Sequence, residues 1–492
     1  MNRHPVPDQE AARTLGRALR AVGYTEAAVH ELLGDEAYAG DRDDAPVDER
    51  RLPEAPLATV VRAFFLQLPV STSAAVRALG EPGVEALAAT ALAEVDDEVV
   101  LQARILPIEK VLLTSDGYSR DAEDPPDYVA TYTPTARVCD SLTPRPRVRR
   151  AADVGTGSGI HALLAAQHAE QVVATDVNPR ALAYTELNAA LNGLTNIECR
   201  LGSLFEPVAG EAFDLITCNA PYVVSPERRW AYRDSEFQGD EVSERVVRDA
   251  AHHLADGGFA TLLVSWLATD EDAPDERVLA WVEETGCDGW VLSTLNMDPL
   301  AHAAEWNSHL AGDPEAFGEA LDEWTRYFDG LGVREVSEGA VLLHRRPGPR
   351  QTSRVDSVDE DDLDEAGGQI LRAFEARGRL SELAKQEELL DARLAAAMAM
   401  RLERELEAQG GRSVDVEGRI ELSEGTKHAV DVTADAQEVV AMLDPDLRLR
   451  DVIEAAADRL GLSDAETATL RDEALDVIRE LLELGAVRFR GD

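Results

Sequence analysis

The stretch "RRAADVGTGSGIHALL" constrains this chain more than any other. A short run of small and β-branched residues ends in three glycines spaced two apart, and an apolar helical pattern begins at once. A strand that turns directly into a helix belongs to a parallel sheet, because only a crossover can return the chain to start a parallel neighbour. The alternation persists downstream. "QVVATDV", "NIECRLG", "FDLITCN", "FATLLVSWL", "DGWVLSTL" and "EGAVLLHRR" read as further strands. "PRALAYTELNAALNG", "DEVSERVVRDAAHHLADGG" and "PDERVLAWVEETG" read as helices between them. From about residue 149 to 347 the pattern predicts an α/β fold, a doubly wound, seven-stranded Rossmann-like sheet with helices on both faces.

At 492 residues the chain exceeds one ordinary domain. "EAARTLGRALRAVGY" and "LATVVRAFFLQLPV" carry apolar residues at helical spacing, and "DDEVVLQARILPIEKVLLTSD" follows with strand-like runs. Helices followed by a strand pair resemble a winged-helix module. The boundaries read as an N-terminal helical, winged-helix-like domain over 1–125 and the sheet domain over 126–348. An acidic linker with a helical segment follows over 349–390, and a C-terminal winged-helix-like domain over 391–492. In "RLAAAMAMRLEREL" propensity favours a helix while the alternation allows a strand.

Acidic residues number 94 against 48 basic ones, a net charge of −46, and three of the basic residues are lysines. Acidity this evenly spread suits solubility in a salty cytoplasm, and it opposes nucleic-acid binding through bulk electrostatics. The best local basic cluster is Arg145, Arg147, Arg149 and Arg150. The start of the chain has no apolar signal-peptide core, and no apolar run is long enough to span a bilayer, so a soluble cytoplasmic protein is expected. The cysteines Cys139, Cys199, Cys218 and Cys287 form no CxxC pair, and the histidines no HExxH pattern, so no metal is expected.

Gly155, Gly157 and Gly159 remove Cβ atoms where the chain must turn and where a ligand can touch the backbone; Thr156 lies between the first two. Asp176 ends the next strand, where a carboxylate can accept both hydroxyls of a ribose. Nicotinamide dinucleotides and S-adenosylmethionine both use this arrangement, and the loop alone does not choose between them.

The second informative stretch is "CNAPYVV", at the end of "FDLITC". The Asn219 amide oxygen and the Ala220 carbonyl can accept the two hydrogens of a planar –NH₂ group. They would direct its lone pair at an electrophilic methyl group and stabilise positive charge developing on nitrogen. Pro221 stiffens the turn and Tyr222 offers a flat face for stacking.

In order and spacing these pieces resemble the class I S-adenosylmethionine-dependent methyltransferases, over about 200 residues. The Asn219-x-Pro-Tyr stretch resembles the Asn/Asp-Pro-Pro-Tyr/Phe motif of amino-methylating enzymes: release-factor glutamine, ribosomal-RNA guanine and adenine-specific DNA methyltransferases. Ala220 stands where that motif has proline. The resemblance implies S-adenosylmethionine as cofactor. It places Asp153, Gly155, Gly157 and Gly159 against the methionine part, Asp176 on the ribose, and Ser203 and Leu204 beside the adenine. Ser203 replaces the acid often found there. Thr133 and Thr135 open a helix whose N-terminus favours the cofactor's carboxylate. The implied activity is N-methylation of a planar amide or amine. The acceptor is read as a glutamine of a release-factor-like protein; the alternatives are a ribosomal-RNA base amine, a small molecule, and a cofactor-binding protein without turnover.

Overall fold

The computed structural model describes residues 5–38, 44–118, 125–219, 221–227, 237–269, 274–348, 351–360, 363–409 and 412–491. In helix α1 (Gln9–Ala21) the apolar positions recur every three or four residues, so Ala12, Leu15, Gly16 and Leu19 form one buried face. The Asp8 side chain caps it by accepting the Glu10 and Ala11 N–H groups. Helices α2 (Glu26–Leu33), α3 (Ala45–Arg51) and α4 (Pro56–Val60) follow. Strand β1 (Val70–Ser71) leads into α5 (Thr72–Ala89), which Gly80 at φ +73° breaks into two short helices. With β2 (Ala93–Val95) and β3 (Glu98–Leu101), β1 makes a three-stranded antiparallel sheet in the order β1-β3-β2. A hairpin of β4 (Arg104–Ile108) and β5 (Val111–Ser115) completes this part.

Next come α6 (Pro134–Leu142), β6 (Val148–Val154), α7 (Ile160–Ala165), β7 (Ala169–Asp176), α8 (Pro179–Leu191), β8 (Ile197–Leu201) and β9 (Phe213–Cys218). The chain continues through α9 (Glu241–His253), β10 (Leu254–Thr269), α10 (Glu276–Glu284), β11 (Asp288–Met297), α11 (Pro299–Trp306), α12 (Pro314–Leu331), β12 (Val333–His344) and β13 (Ser353–Ser357). The strands form one sheet in the order β13-β11-β12-β10-β9-β6-β7-β8. Strands β6 to β10 run parallel, and β12 inserts antiparallel between β10 and β11. The winding reverses at β6, with β7 on one side and β9 on the other, which opens a crevice at the carboxyl ends of those strands.

The seven expected strands are all present, and β13 adds an eighth, parallel to β11. This corrects the reading of its residues as part of a solvated linker. Its sequence "SRVDS" is short and polar because Arg354 and Asp356 pair with each other and Asp356 also accepts the Trp290 Nε1 proton at 2.8 Å. Charged side chains satisfied in place carry no hydrophobic periodicity. The helices α11 and α12, between β11 and β12, lie outside the expected element order as well.

The C-terminal part contains α13 (Gly367–Glu382), β14 (Leu394–Ala396), β15 (Met400–Gln409), β16 (Arg412–Leu422), β17 (Ala429–Val432), α14 (Ala434–Ala441), α15 (Leu449–Leu460), α16 (Asp464–Glu483) and β18 (Val487–Phe489). The ambiguous "RLAAAMAMRLEREL" is strand: β14 pairs with β18 and β15 with β16. One continuous hydrophobic core runs from Leu142 and Leu215 of the sheet region through Phe374 to Leu394 and Ile478. The C-terminal part is therefore packed onto the sheet.

The N-terminal part is held to the sheet domain by α8. Asn188 and Asn192 lie on its inner side and act as surrogate strand partners for β5. Asn188 accepts the Thr114 N–H and donates to the Thr114 carbonyl, each at 2.8 Å; Asn192 does the same for Leu112 at 2.9 and 2.8 Å. Gly16 matters here, since a Cβ on it would lie 2.0 Å from the Leu191 carbonyl oxygen. No helix among the described residues is long and apolar enough to cross a membrane.

Candidate active site

The glycine loop follows β6. Gly155, Gly157 and Gly159 have φ of +70°, +55° and +90°, the left-handed region that residues with a Cβ avoid. Their surroundings separate their tasks. A Cβ on Gly159 would lie 2.8 Å from Thr185 of α8, so this glycine serves packing, whereas a Cβ on Gly157 would meet nothing within 4 Å. Open space above Gly157 is where a ligand can approach the backbone. From below, Thr185 donates to the Gly157 carbonyl at 3.1 Å and Asn188 to the Ser158 carbonyl at 2.8 Å. Sequence reasoning misses both braces; their signal is a pair of polar residues spaced three apart on an otherwise apolar helix face.

Asp153 is held by the protein's own hydrogen bonds. It is 1% exposed, and its carboxylate accepts from Thr156 Oγ1 at 2.6 Å, the Ala162 N–H at 3.0 Å and Thr217 Oγ1 at 2.9 Å. Those three bonds tie the loop, the start of α7 and β9 together. Asp153 and Thr156 thus shape the loop from within.

Asp176, at the end of β7, is half-buried and faces the loop. One carboxylate oxygen accepts the Gly157 N–H at 2.9 Å and the other the Asn178 N–H at 2.8 Å. Burial raises its pKa, and the hydrogen bonds from the Asn178 and Gly157 N–H groups oppose that shift. The turn after β8 is tied to the same place: the Gly202 N–H donates to the Asp176 carbonyl at 3.0 Å, and Thr175 Oγ1 to the Leu204 carbonyl at 3.1 Å. Leu204 adopts φ +46°, and it and Ser203 are half-buried beside Asp176's strand end.

Asn219 follows β9, whose Cys218 pairs with Val154 of β6 and Leu262 of β10. This register sets Asn219 and Gly155, each the next residue of its strand, side by side at the crevice. Ala220 lies outside the described residues. Pro221 and Tyr222 are half-buried, while Val223 and Val224 are buried beneath Ala303, Trp324 and Phe328 of α11 and α12. Burial raises the pKa of Tyr222 well above the usual tyrosine range, with the Glu338 and Glu360 charges acting in the same direction and Thr135 opposing it. Thr133 caps α6, accepting the Ala136 N–H at 3.1 Å, and its hydroxyl lies 2.9 Å from that of Thr135. Among the described residues no group of three or more His, Cys, Asp or Glu is placed to hold a metal.

A model described as the methyltransferase small domain matches residues 135–271, which take in the glycine loop, Asp176 and Asn219. The fold is that of a class I S-adenosylmethionine-dependent methyltransferase. The release factor glutamine methyltransferase of Geobacter sulfurreducens is 30% identical over 207 residues, covering 39% of this chain and 70% of that enzyme. By that measure the chain belongs to the release factor glutamine methyltransferase family. The corresponding enzyme of Xylella fastidiosa is 35% identical over 130 residues, 24% of this chain and 47% of the relative. The ribosomal protein uL3 glutamine methyltransferase of Bradyrhizobium diazoefficiens is 33% identical over 158 residues, 29% and 50%. The chain thus spans about half the length of the curated relatives that head the comparison. A second model, a domain of unknown function (DUF7059), matches residues 21–104.

The residues present fit the cofactor of this class: Gly157 leaves room over the loop, and Asp176 sets a carboxylate at its edge. Asp176→Ala is expected to weaken S-adenosylmethionine binding about 10- to 100-fold, the loss of ~1.5–3 kcal/mol for hydrogen bonds to a charged group. Isothermal titration calorimetry measures it, and unchanged affinity would remove Asp176 from the site.

Proposed function

We propose that the protein methylates the side-chain amide nitrogen of a glutamine in a release-factor-like protein, using S-adenosylmethionine. The observation that carries this reading is the position of Asn219-x-Pro-Tyr at the end of β9, one strand from the glycine loop, in a chain of this family. When bound, the cofactor supplies a methyl group made electrophilic by its sulfonium sulfur. Asn219 Oδ1 and the Ala220 carbonyl accept the two amide hydrogens, which holds the nitrogen in line with that methyl group. Their partial negative charges then stabilise the charge that grows on nitrogen. Tyr222 stacks on the planar amide, and the buried Val223 and Val224 that follow it anchor its limb. The amide nitrogen gains the methyl group, then releases a proton to leave a neutral N-methyl amide. A cytoplasmic setting accompanies such a substrate.

Base methylation in ribosomal RNA draws no support from the arginine cluster. Arg145 is paired with Asp140 and Glu109, and Arg150 with Glu211. In a protein of net charge −46, these guanidinium groups neutralise the chain's own carboxylates.

The test uses tritiated S-adenosylmethionine, the full chain, and extract from a strain lacking this gene, at high salt. Label removed by protease but not by ribonuclease, located by mass spectrometry on a glutamine, is the expected result. Label removed by ribonuclease alone overturns the proposal.

A further inference from the structure

Behind Tyr222, the α11–α12 insertion buries two titratable side chains against each other. His302 is wholly buried, and its Nε2 lies 3.1 Å from the Val224 carbonyl oxygen. A carbonyl only accepts, so Nε2 carries the hydrogen, and a neutral ring presents a lone pair at Nδ1. That Nδ1 lies 3.6 Å from Glu338 Oε1 and has no hydrogen-bond partner among the described residues. Glu338, on β12, is 9% exposed, and its Oε1 accepts the Trp306 Nε1 proton at 3.4 Å. Among the titratable and charged groups around the pair, the Tyr222 hydroxyl after β9 feels the Glu338 charge. Glu305 of α11 and Glu360 after β13 act on Glu338 by charge. Trp324 and Phe328 of α12 enclose the His302 ring at centroid distances of 5.7 Å. On β10, Ser265 faces Glu338 in register, its hydroxyl buried and unpartnered among the described residues.

We propose that His302 and Glu338 share one proton and act as positioning residues: through Val224 they hold the limb carrying Pro221 and Tyr222, and the acceptor pocket keeps its shape only while that proton is present. The reason lies in counting hydrogens. A neutral imidazole has one N–H, and here it faces two acceptors, the Val224 carbonyl and the Glu338 carboxylate. With a second proton in the pair, on either Glu338 or His302, both contacts are satisfied. Without it, the ring serves one and leaves the other short of a donor in a dry site, Glu338 then keeping only the long Trp306 bond, and the limb loses restraint.

The direction with pH follows. Burial pushes His302 down to about 4 and Glu338 up to about 7, the latter with help from Glu305 and Glu360. Between the ordinary glutamate and histidine values of 4.5 and 6.5, the unfolded chain holds its proton on histidine and the folded pair holds one on Glu338, so the two states bind equal numbers. The pair leaves stability flat there. Above 6.5 the unfolded histidine is neutral while the folded pair still holds its proton, and that advantage is lost as pH rises through about 7.

The activity arm rests on the glutamine-methyltransferase reading; a spectroscopic arm does not. Tryptophan fluorescence of the full chain, titrated across neutral pH, is expected to show a transition near pH 7. The transition should shrink in Trp306→Phe, which removes the tryptophan bonded to Glu338, and disappear in Glu338→Gln. In the latter variant the introduced amide N–H donates to His302 Nδ1 at every pH and mimics the protonated acid. Methyl transfer by the wild type should fall across the same transition while Glu338→Gln stays flat, with cofactor affinity unchanged in both. Absence of the transition in the wild type, or identical pH profiles in wild type and Glu338→Gln, overturns the proposal. A transition abolished by Glu338→Gln supports the shared proton even where no methyl acceptor is found.

Discussion

Asn219→Ala is expected to cut methyl transfer ~100-fold or more, the ~2.7–4 kcal/mol that one preorganised polar contact to a developing charge supplies. Cofactor affinity should change little, because the contacts proposed to the cofactor come from the glycine loop, Asp176, Ser203, Leu204 and the α6 N-terminus, with Asn219 assigned to the acceptor amide. The two quantities are separable: calorimetry reads the cofactor, and single-turnover transfer from labelled S-adenosylmethionine reads the chemistry. Equal losses of both would show that Asn219 supports the fold of the crevice and would remove it from the transfer step. Asn219→Asp makes a useful companion, since it keeps an acceptor at the same place while adding charge.

A large loss of stability is expected from Asp116→Ala. Arg180 and Asp116 form an ion pair at 3% and 4% side-chain exposure. Asp116 also accepts the Tyr184 hydroxyl and the Val129 N–H, each at 2.8 Å. Alanine would leave the Arg180 guanidinium buried with Asp127, half-exposed and 3.9 Å away, as its remaining carboxylate partner among the described residues. Removing one partner of a buried pair costs about 3–5 kcal/mol. Urea denaturation would register this as a lower midpoint, and a change below ~1 kcal/mol would mean that the pair is not what holds this junction. The position matters for function as well as stability. Asp116 lies just after β5, whose backbone Asn188 holds while also bracing the glycine loop.

Much of the candidate site was legible in the chain because its chemistry depends on local backbone. Positive φ at the loop demands glycine, and an acid ending the next strand must face that loop in any parallel βαβ unit. The residue after β9 must sit at the carboxyl edge where ligands enter. Such positions follow from strand direction and period alone. Asp153 shows the limit of that reasoning: it occupies the expected place, yet its carboxylate is consumed by Thr156, Ala162 and Thr217. Which way a side chain turns depends on donors that lie 64 residues apart in the chain.

The same distinction divides the whole protein. Repeating apolar spacing determined the seven expected strands of the sheet and the crevice at their carboxyl ends, since burial of one face of each element leaves few alternatives. The edge strand β13, the asparagine pairs that seat the N-terminal part, and the buried His302–Glu338 pair were decided only in the tertiary structure. Each is built from polar residues whose partners are distant in sequence, and a polar side chain carries no mark of the place where its hydrogen bond will be met.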